Sequence, residues 1–197
     1  MEYLVTMTTH VPHGTPEQEV DDVRALESAH SAELASCGNL LRLWRPPLQP
    51  GEWRTLGLFA ADDADQLERV LASMPLRIWR TDQVAALGPH PNDPGIAKTA
   101  GSPEFLISMD INVPAGTPDV TVERTSAEEA ERARKLASQG HLLRLWSLPA
   151  DPGQSRTLGL WSAATPAQMQ EIVVALPLCD WMTAETTPLR PHPSDPA

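Results

Sequence analysis

The chain has 197 residues, 41% of them hydrophobic and 21% charged, and 26 Asp and Glu against 15 Lys and Arg leave a net charge of −11. That balance opposes a phosphate backbone or an anionic membrane surface, so the expected partners include neither nucleic acid nor membrane. No apolar run is long enough to span a bilayer, the start lacks a basic-then-apolar leader pattern, and the two cysteines suggest no disulfide framework; a soluble cytoplasmic protein is expected.

In chain order, Tyr3–His10 places β-branched and apolar residues near alternate positions and predicts a strand. Gly14-Thr15-Pro16 follows as a turn into a helix, with Thr15 expected to cap and Pro16 to sit in the first helical turn. That helix should run to about Ser36, where Gly38 suits a left-handed C-terminal cap. Two strand-like runs, Leu40–Arg45 and Arg54–Ala60, flank a loop containing Pro50-Gly51. A second helix is expected over 63–73, ended by Pro75, and an extended stretch over 78–86.

The same text then returns. Sliding the chain by 102 positions aligns it with itself without a gap, and 40 of 95 aligned residues are identical. Leu40-Leu41-Arg42-Leu43-Trp44 matches Leu142-Leu143-Arg144-Leu145-Trp146, and Pro89-His90-Pro91 matches Pro191-His192-Pro193. Solenoid repeats are shorter, roughly 20–50 residues, so two copies of this size read as two domains. They span 1–95 and 103–197, with a linker at 96–102. The order β-α-β-β-α-β is the ferredoxin-like split βαβ motif, and the fold class is α+β. One sheet face in each copy needs cover, so the copies are expected to pack sheet to sheet as the pseudo-dimer of a dimeric α+β barrel.

The first helix carries the best chemical clue. At about 100° per residue, Val20, Val23, Leu26, Leu34 and Cys37 form one apolar stripe, and Glu27 and His30 project into it, the glutamate near its edge. A buried carboxylate is costly unless it is paired or protonated, and a glutamate tuned upward suits general acid–base work. His30 could share its proton. The alternative is a border glutamate that reaches water and pairs with Arg24 or a partner loop. The second copy keeps Glu129 but replaces His30 with Arg132, at the spacing of an ion pair that would weaken the acid. The first copy is therefore expected to be the better site.

Strand alternation places Arg42 on one face with Leu40 and Trp44, and Arg144 with Leu142 and Trp146. Such an arginine could grip a ligand carboxylate in a bidentate fork, or make a structural ion pair. His90 and His192 fall in proline-rich turns and read as structural. No metal-ligand spacing, phosphate loop or nucleophile elbow is present, so no cofactor is expected.

Each copy, from end to end, resembles muconolactone delta-isomerase. The resemblance rests on Met7-Thr8 and Val11-Pro12, mid-helix Glu27, Gly38 before Leu43-Trp44-Arg45, Met74-Pro75-Leu76 or Leu176-Pro177-Leu178, and the closing His-Pro. It implies a cofactor-free isomerase of aromatic catabolism that shifts a double bond in a carboxymethyl butenolide. It implies Glu27 and Glu129 as proton shuttles, an anionic unsaturated lactone or enone as substrate, and assembly into homo-oligomers of pseudo-dimers. The chain departs from the family pattern at Arg42 and Arg144, where the family has histidine. It departs again at Thr6, His10, Ser108 and Asn112, where the family has lysines on the first strand. Two other readings stay open: a cyclase or cofactor-independent oxygenase with a larger pocket lined by Trp44, Trp79, Trp146 and Trp181, or a non-catalytic binder.

Overall fold

The computed structural model describes residues 1–96, 102–150 and 154–197. The linker assigned to 96–102 therefore lies, over 97–101, outside the described residues. The order is β1 (Glu2–Thr9), α1 (Glu17–Ser36), β2 (Leu40–Arg45), β3 (Arg54–Ala60), α2 (Ala64–Ser73) and β4 (Arg80–Pro89). The second copy repeats it as β5 (Glu104–Ile111), α3 (Asp119–Ser138), β6 (Leu142–Leu148), β7 (Ser155–Ser162), α4 (Pro166–Val174) and β8 (Met182–Pro191). This is the ferredoxin-like α+β motif, twice. A 3₁₀ turn at Pro75–Trp79, and another at Cys179–Trp181, occupies the start of what the sequence reads as one extended stretch. No helix among the described residues is long and apolar enough to cross a membrane.

Two compact units emerge, and they are not the two repeats. Unit 1 comprises Met1–Leu87 with Arg190–Ala197, and unit 2 comprises Gly88–Leu189. The closing His-Pro tail of each repeat thus belongs to the unit built by the other. In unit 1, β1 pairs antiparallel with β3 and β4, and β3 pairs with β2. Trp44 and Arg45 at the end of β2 pair with Pro191 and Arg190. In unit 2, β5 pairs with β7 and β8, β7 with β6, and Trp146 and Ser147 pair with Pro89 and Gly88.

The helix-facing core of unit 1 gathers Tyr3, Val5 and Met7 from β1, Leu40 and Leu43 from β2, and Leu67 and Leu71 from α2. Unit 2 repeats this with Phe105, Ile107, Met109, Leu142, Leu145, Met169 and Val173. Leu40 and Leu43 can share a face because a register shift between Leu40 and Arg42 interrupts strict alternation. The expected grouping of Arg42 with Leu40 is therefore wrong. A bulge adds one residue to the strand, so Arg42 and Trp44 turn away from Leu40.

Local signals hold at most helix ends. Gly38 and Gly140 take φ of 75° and 77°, and the amides of Asn39 and His141 reach back to the carbonyls of Leu34 and Leu136. This is the glycine-terminated helix end in which otherwise unpaired carbonyls find donors. Thr165 caps α4 through the amide of Gln168, 3.1 Å away. Thr15 and Thr117 do not cap. Their hydroxyls donate to the carbonyls of Pro12 and Pro114, so Pro16 and Pro118 occupy the cap position itself.

The inward face of α1 also differs from the expected stripe. Leu26 is 61% exposed, Cys37 is exposed, and the buried residues of the helix are Ser31 and Leu34. Val20, Val23, Glu27, Ser31 and Leu34 follow one another at helical spacing and share their lower exposure. Glu27 therefore stands in the middle of the inward face, not at its edge.

Candidate functional site

Unit 1 contains a cavity of about 400 Å³ between α1 and the sheet, walled by Met7, Leu43, Thr55, Met74 and Leu76 among others. Glu27 enters it from α1. Its Oε2 accepts the Leu76 amide at 2.8 Å, and its Oε1 lies 3.2 Å from Arg80 Nη1. Pro75 places that amide: the 3₁₀ turn it opens directs the Leu76 N–H at α1. Arg80 is itself held by Asp82, at 2.7 Å from Nε and 3.1 Å from Nη2, and Arg77 also pairs with Asp82. Arg80 thus divides its charge between Asp82 and Glu27, and Asp82 is shared in turn with Arg77. Burial raises the Glu27 carboxyl above its ordinary value, opposed by the Leu76 amide, Arg80 and His30 in turn, while Asp82 pushes it further up.

Two more cations reach this cavity. Arg24 stacks over Trp53, 4.4 Å from the ring centre, and both line the wall. Arg45 lines it beside His192, which arrives on the C-terminal tail with Pro193 and Ser194. The Ser194 amide donates to His192 Nδ1 at 3.1 Å, which leaves the ring proton on Nε2. Burial lowers the His192 pKa, Arg45 lowers it further and Asp195 opposes them, so the ring favours its neutral form.

Unit 2 holds the equivalent cavity, about 310 Å³, with Glu129 on its wall. Its Oε2 accepts the Leu178 amide at 3.1 Å. Burial raises this carboxyl too, with the Leu178 amide and then Arg132 opposing. The expected Glu129–Arg132 ion pair is not among the salt bridges of the described residues, and Arg132 Nε is buried without a partner there. The arginine against the glutamate is in the other copy: Arg80 pairs with Glu27, and Met182 stands in the corresponding place beside Glu129. His90 enters on the tail of the first repeat and accepts the Asn92 amide at Nδ1, 3.1 Å away.

The remaining candidates lie elsewhere. His30 is committed to Glu33 at 2.9 Å and Ser73 at 2.8 Å, and it lines neither cavity. Arg42 grips a carboxylate, but one from this chain: Asp195, at 3.2 Å from Nε and 3.1 Å from Nη2, with the Leu43 amide on the same carboxylate at 2.9 Å. Arg144 treats Asp93 likewise. Each guanidinium also lies 4.7 Å from the ring centre of its neighbour, Trp44 or Trp146. None of these four residues lines either cavity. Their work is to fasten the tails that carry His192 and His90. Of Trp44, Trp79, Trp146 and Trp181, Trp181 alone lines either of them.

Sequence reasoning missed Arg45 and Arg80, offered Arg24 only as a partner for Glu27, and read both tail histidines as structural. The repeat held a signal for the arginines, because all three face uncharged residues in the alignment: Ser126, Ser147 and Met182.

The sequence profile of muconolactone delta-isomerase matches residues 1–93 and again residues 104–195. The chain belongs to the muconolactone delta-isomerase family. The family's enzyme from Cupriavidus pinatubonensis is 32% identical over 92 residues, 47% of this chain and 97% of that protein. The Acinetobacter baylyi muconolactone delta-isomerase is 27% identical over 92 residues, 47% of this chain and 93% of that protein. Each relative is thus matched by one repeat's length. In fold alone, the chain is similar to the chlorite dismutase of Candidatus Nitrospira defluvii, with a TM-score of 0.62 at 11% identity over 96% of this chain and 91% of that one.

Proposed function

We propose that the chain is a cofactor-free isomerase that shifts a carbon–carbon double bond by proton transfer in a small anionic unsaturated lactone such as muconolactone. The observation that carries this reading is Glu27: a buried carboxylate, raised by desolvation, on the wall of a cavity that also presents Arg24, Arg45 and His192. Family membership supports an isomerase.

Glu27 takes a proton from the carbon beside the unsaturated lactone, and the electron pair left behind spreads over a dienolate. The same carboxyl, now an acid, returns the proton one allylic position away, so atoms and charge balance with no added reagent. The developing enolate oxygen needs a donor, a role we assign to the Nε2–H of neutral His192, a residue of the cavity wall. Arg24 and Arg45 hold the substrate carboxylate. Arg80 keeps Glu27 oriented, and burial holds the carboxyl above its ordinary value against the pull of that cation.

The test is turnover of muconolactone in D₂O, followed by NMR, for wild type, Glu27→Gln, Glu129→Gln and the double variant. Glu27→Gln should slow the reaction by about 10²–10⁴-fold, the usual contribution of a positioned acid–base group. Glu129→Gln should cost less. Equal rates for wild type and the double variant would refute the carboxylate shuttle.

A further inference from the structure

The two cavities are built on one plan, but only the first is lined with arginines. Besides Glu27 and His192, the unit 1 wall carries Arg24, Arg45 and Arg80. Besides Glu129 and His90, the unit 2 wall carries no ionisable group among the described residues. Ser126 replaces Arg24, Met182 replaces Arg80, Ser155 replaces Trp53, Ile111 replaces Thr9 and Ala133 replaces Ser31. Arg132, the cation one helical turn from Glu129, is not on the wall.

One substitution adds a polar group. Phe59 of unit 1 becomes Trp161, which is 2% exposed, lines the cavity, and holds an indole N–H with no acceptor among the described residues. The ring lies over Gly159, where a Cβ would collide with the indole nitrogen, so Trp161 offers the cavity an aromatic wall rather than a donor.

We propose that the unit 2 cavity is a second ligand site, specific for an uncharged unsaturated carbonyl compound, a neutral lactone or enone, whose oxygen accepts from the Nε2–H of His90. A carboxylate entering this cavity would lose its hydration with no cation to meet it, and would share the wall with Glu129. An uncharged ring loses little and buries its faces against Leu142, Leu145 and Met109. The inference goes beyond the reaction assigned to unit 1 and does not depend on turnover there.

The test is binding to the intact chain, using coumarin and coumarin-3-carboxylate, the same unsaturated lactone without and with a charge. Titration is followed by calorimetry and by the ¹H–¹⁵N signals of the indole groups, assigned by single Trp→Phe changes. Coumarin should shift the Trp161 or Trp181 signal, and the carboxylate should bind there at least about 30-fold more weakly, the scale of an unpaired buried charge. Installing the arginine stack of unit 1, with Ser126→Arg and Ser155→Trp, should narrow that ratio, while Arg24→Ser should leave it unchanged. The wild-type ratio decides the matter even if the double variant fails to fold. Coumarin that shifts neither signal, or a carboxylate that binds unit 2 as tightly as coumarin, would overturn the proposal. Because no step of this test measures catalysis, an inactive enzyme would count against the isomerase reading alone.

Discussion

Removing the Asp195 carboxylate should loosen unit 1 far more than its distance from the core elements suggests. The Arg42 and Asp195 side chains are 4% and 3% exposed, and the carboxylate accepts from Arg42 Nε, Arg42 Nη2 and the Leu43 amide. Asp195→Ala takes charged hydrogen bonds from a buried guanidinium and a strand amide, a change worth about 2–4 kcal/mol. For a chain of this length that corresponds to a melting point lower by roughly 4–16 °C. The matching pair in unit 2 is wetter, with Arg144 and Asp93 at 16% and 21% exposure, so Asp93→Ala should cost about 1–3 kcal/mol. Thermal unfolding by calorimetry, with Asp195→Asn as a shape-preserving control, measures both. Asp195→Ala should also lower kcat for muconolactone, because the released tail carries His192. A shift under about 2 °C for Asp195→Ala, smaller than the thermal equivalent of 1 kcal/mol, would refute the argument, as would a larger cost for Asp93→Ala.

Glu129→Gln should stabilise the chain at neutral pH. The native carboxyl titrates above its ordinary 4.5, so the folded state binds more protons than the unfolded chain in that window, and stability is lost as pH rises through it. The gain from glutamine should be present at about pH 7.5 and vanish near pH 4, as urea midpoints will show; a larger gain at acid pH would contradict the sign. Replacing Arg80 and Asp82 with the residues of unit 2, Arg80→Met with Asp82→Ala, removes a lowering influence on Glu27 larger than the raising one. The acid limb of the kcat/KM profile should therefore move to higher pH, and a downward move would discard Arg80 as the tuning group.

The element order, the helix caps at Gly38 and Gly140 and the placing of Glu27 on an inward face were legible because each depends on residues close together in the chain. The Arg42 grouping was not, because strand alternation is blind to a bulge that only the pairing of β2 with β3 reveals. The partner of Glu27 was not either. Spacing along the helix pointed to i,i+3 neighbours, whereas Arg80 comes from β4, 53 residues away. The tail histidines looked structural because their neighbours are prolines. Their role depends on Asp195 finding Arg42, 153 residues earlier in sequence.

The exchanged tails carry a genetic consequence. The Glu27 cavity is encoded in two distant stretches of the gene, so damage at codons 192–194 reaches a site written mostly within the first 80. A premature stop just before His192 would delete part of the wall beside Glu27 and spare every residue lining the Glu129 cavity. A split of the gene at the repeat boundary would divide both sites at once. Selection on codons 192–195 is therefore selection on the unit built by the first repeat.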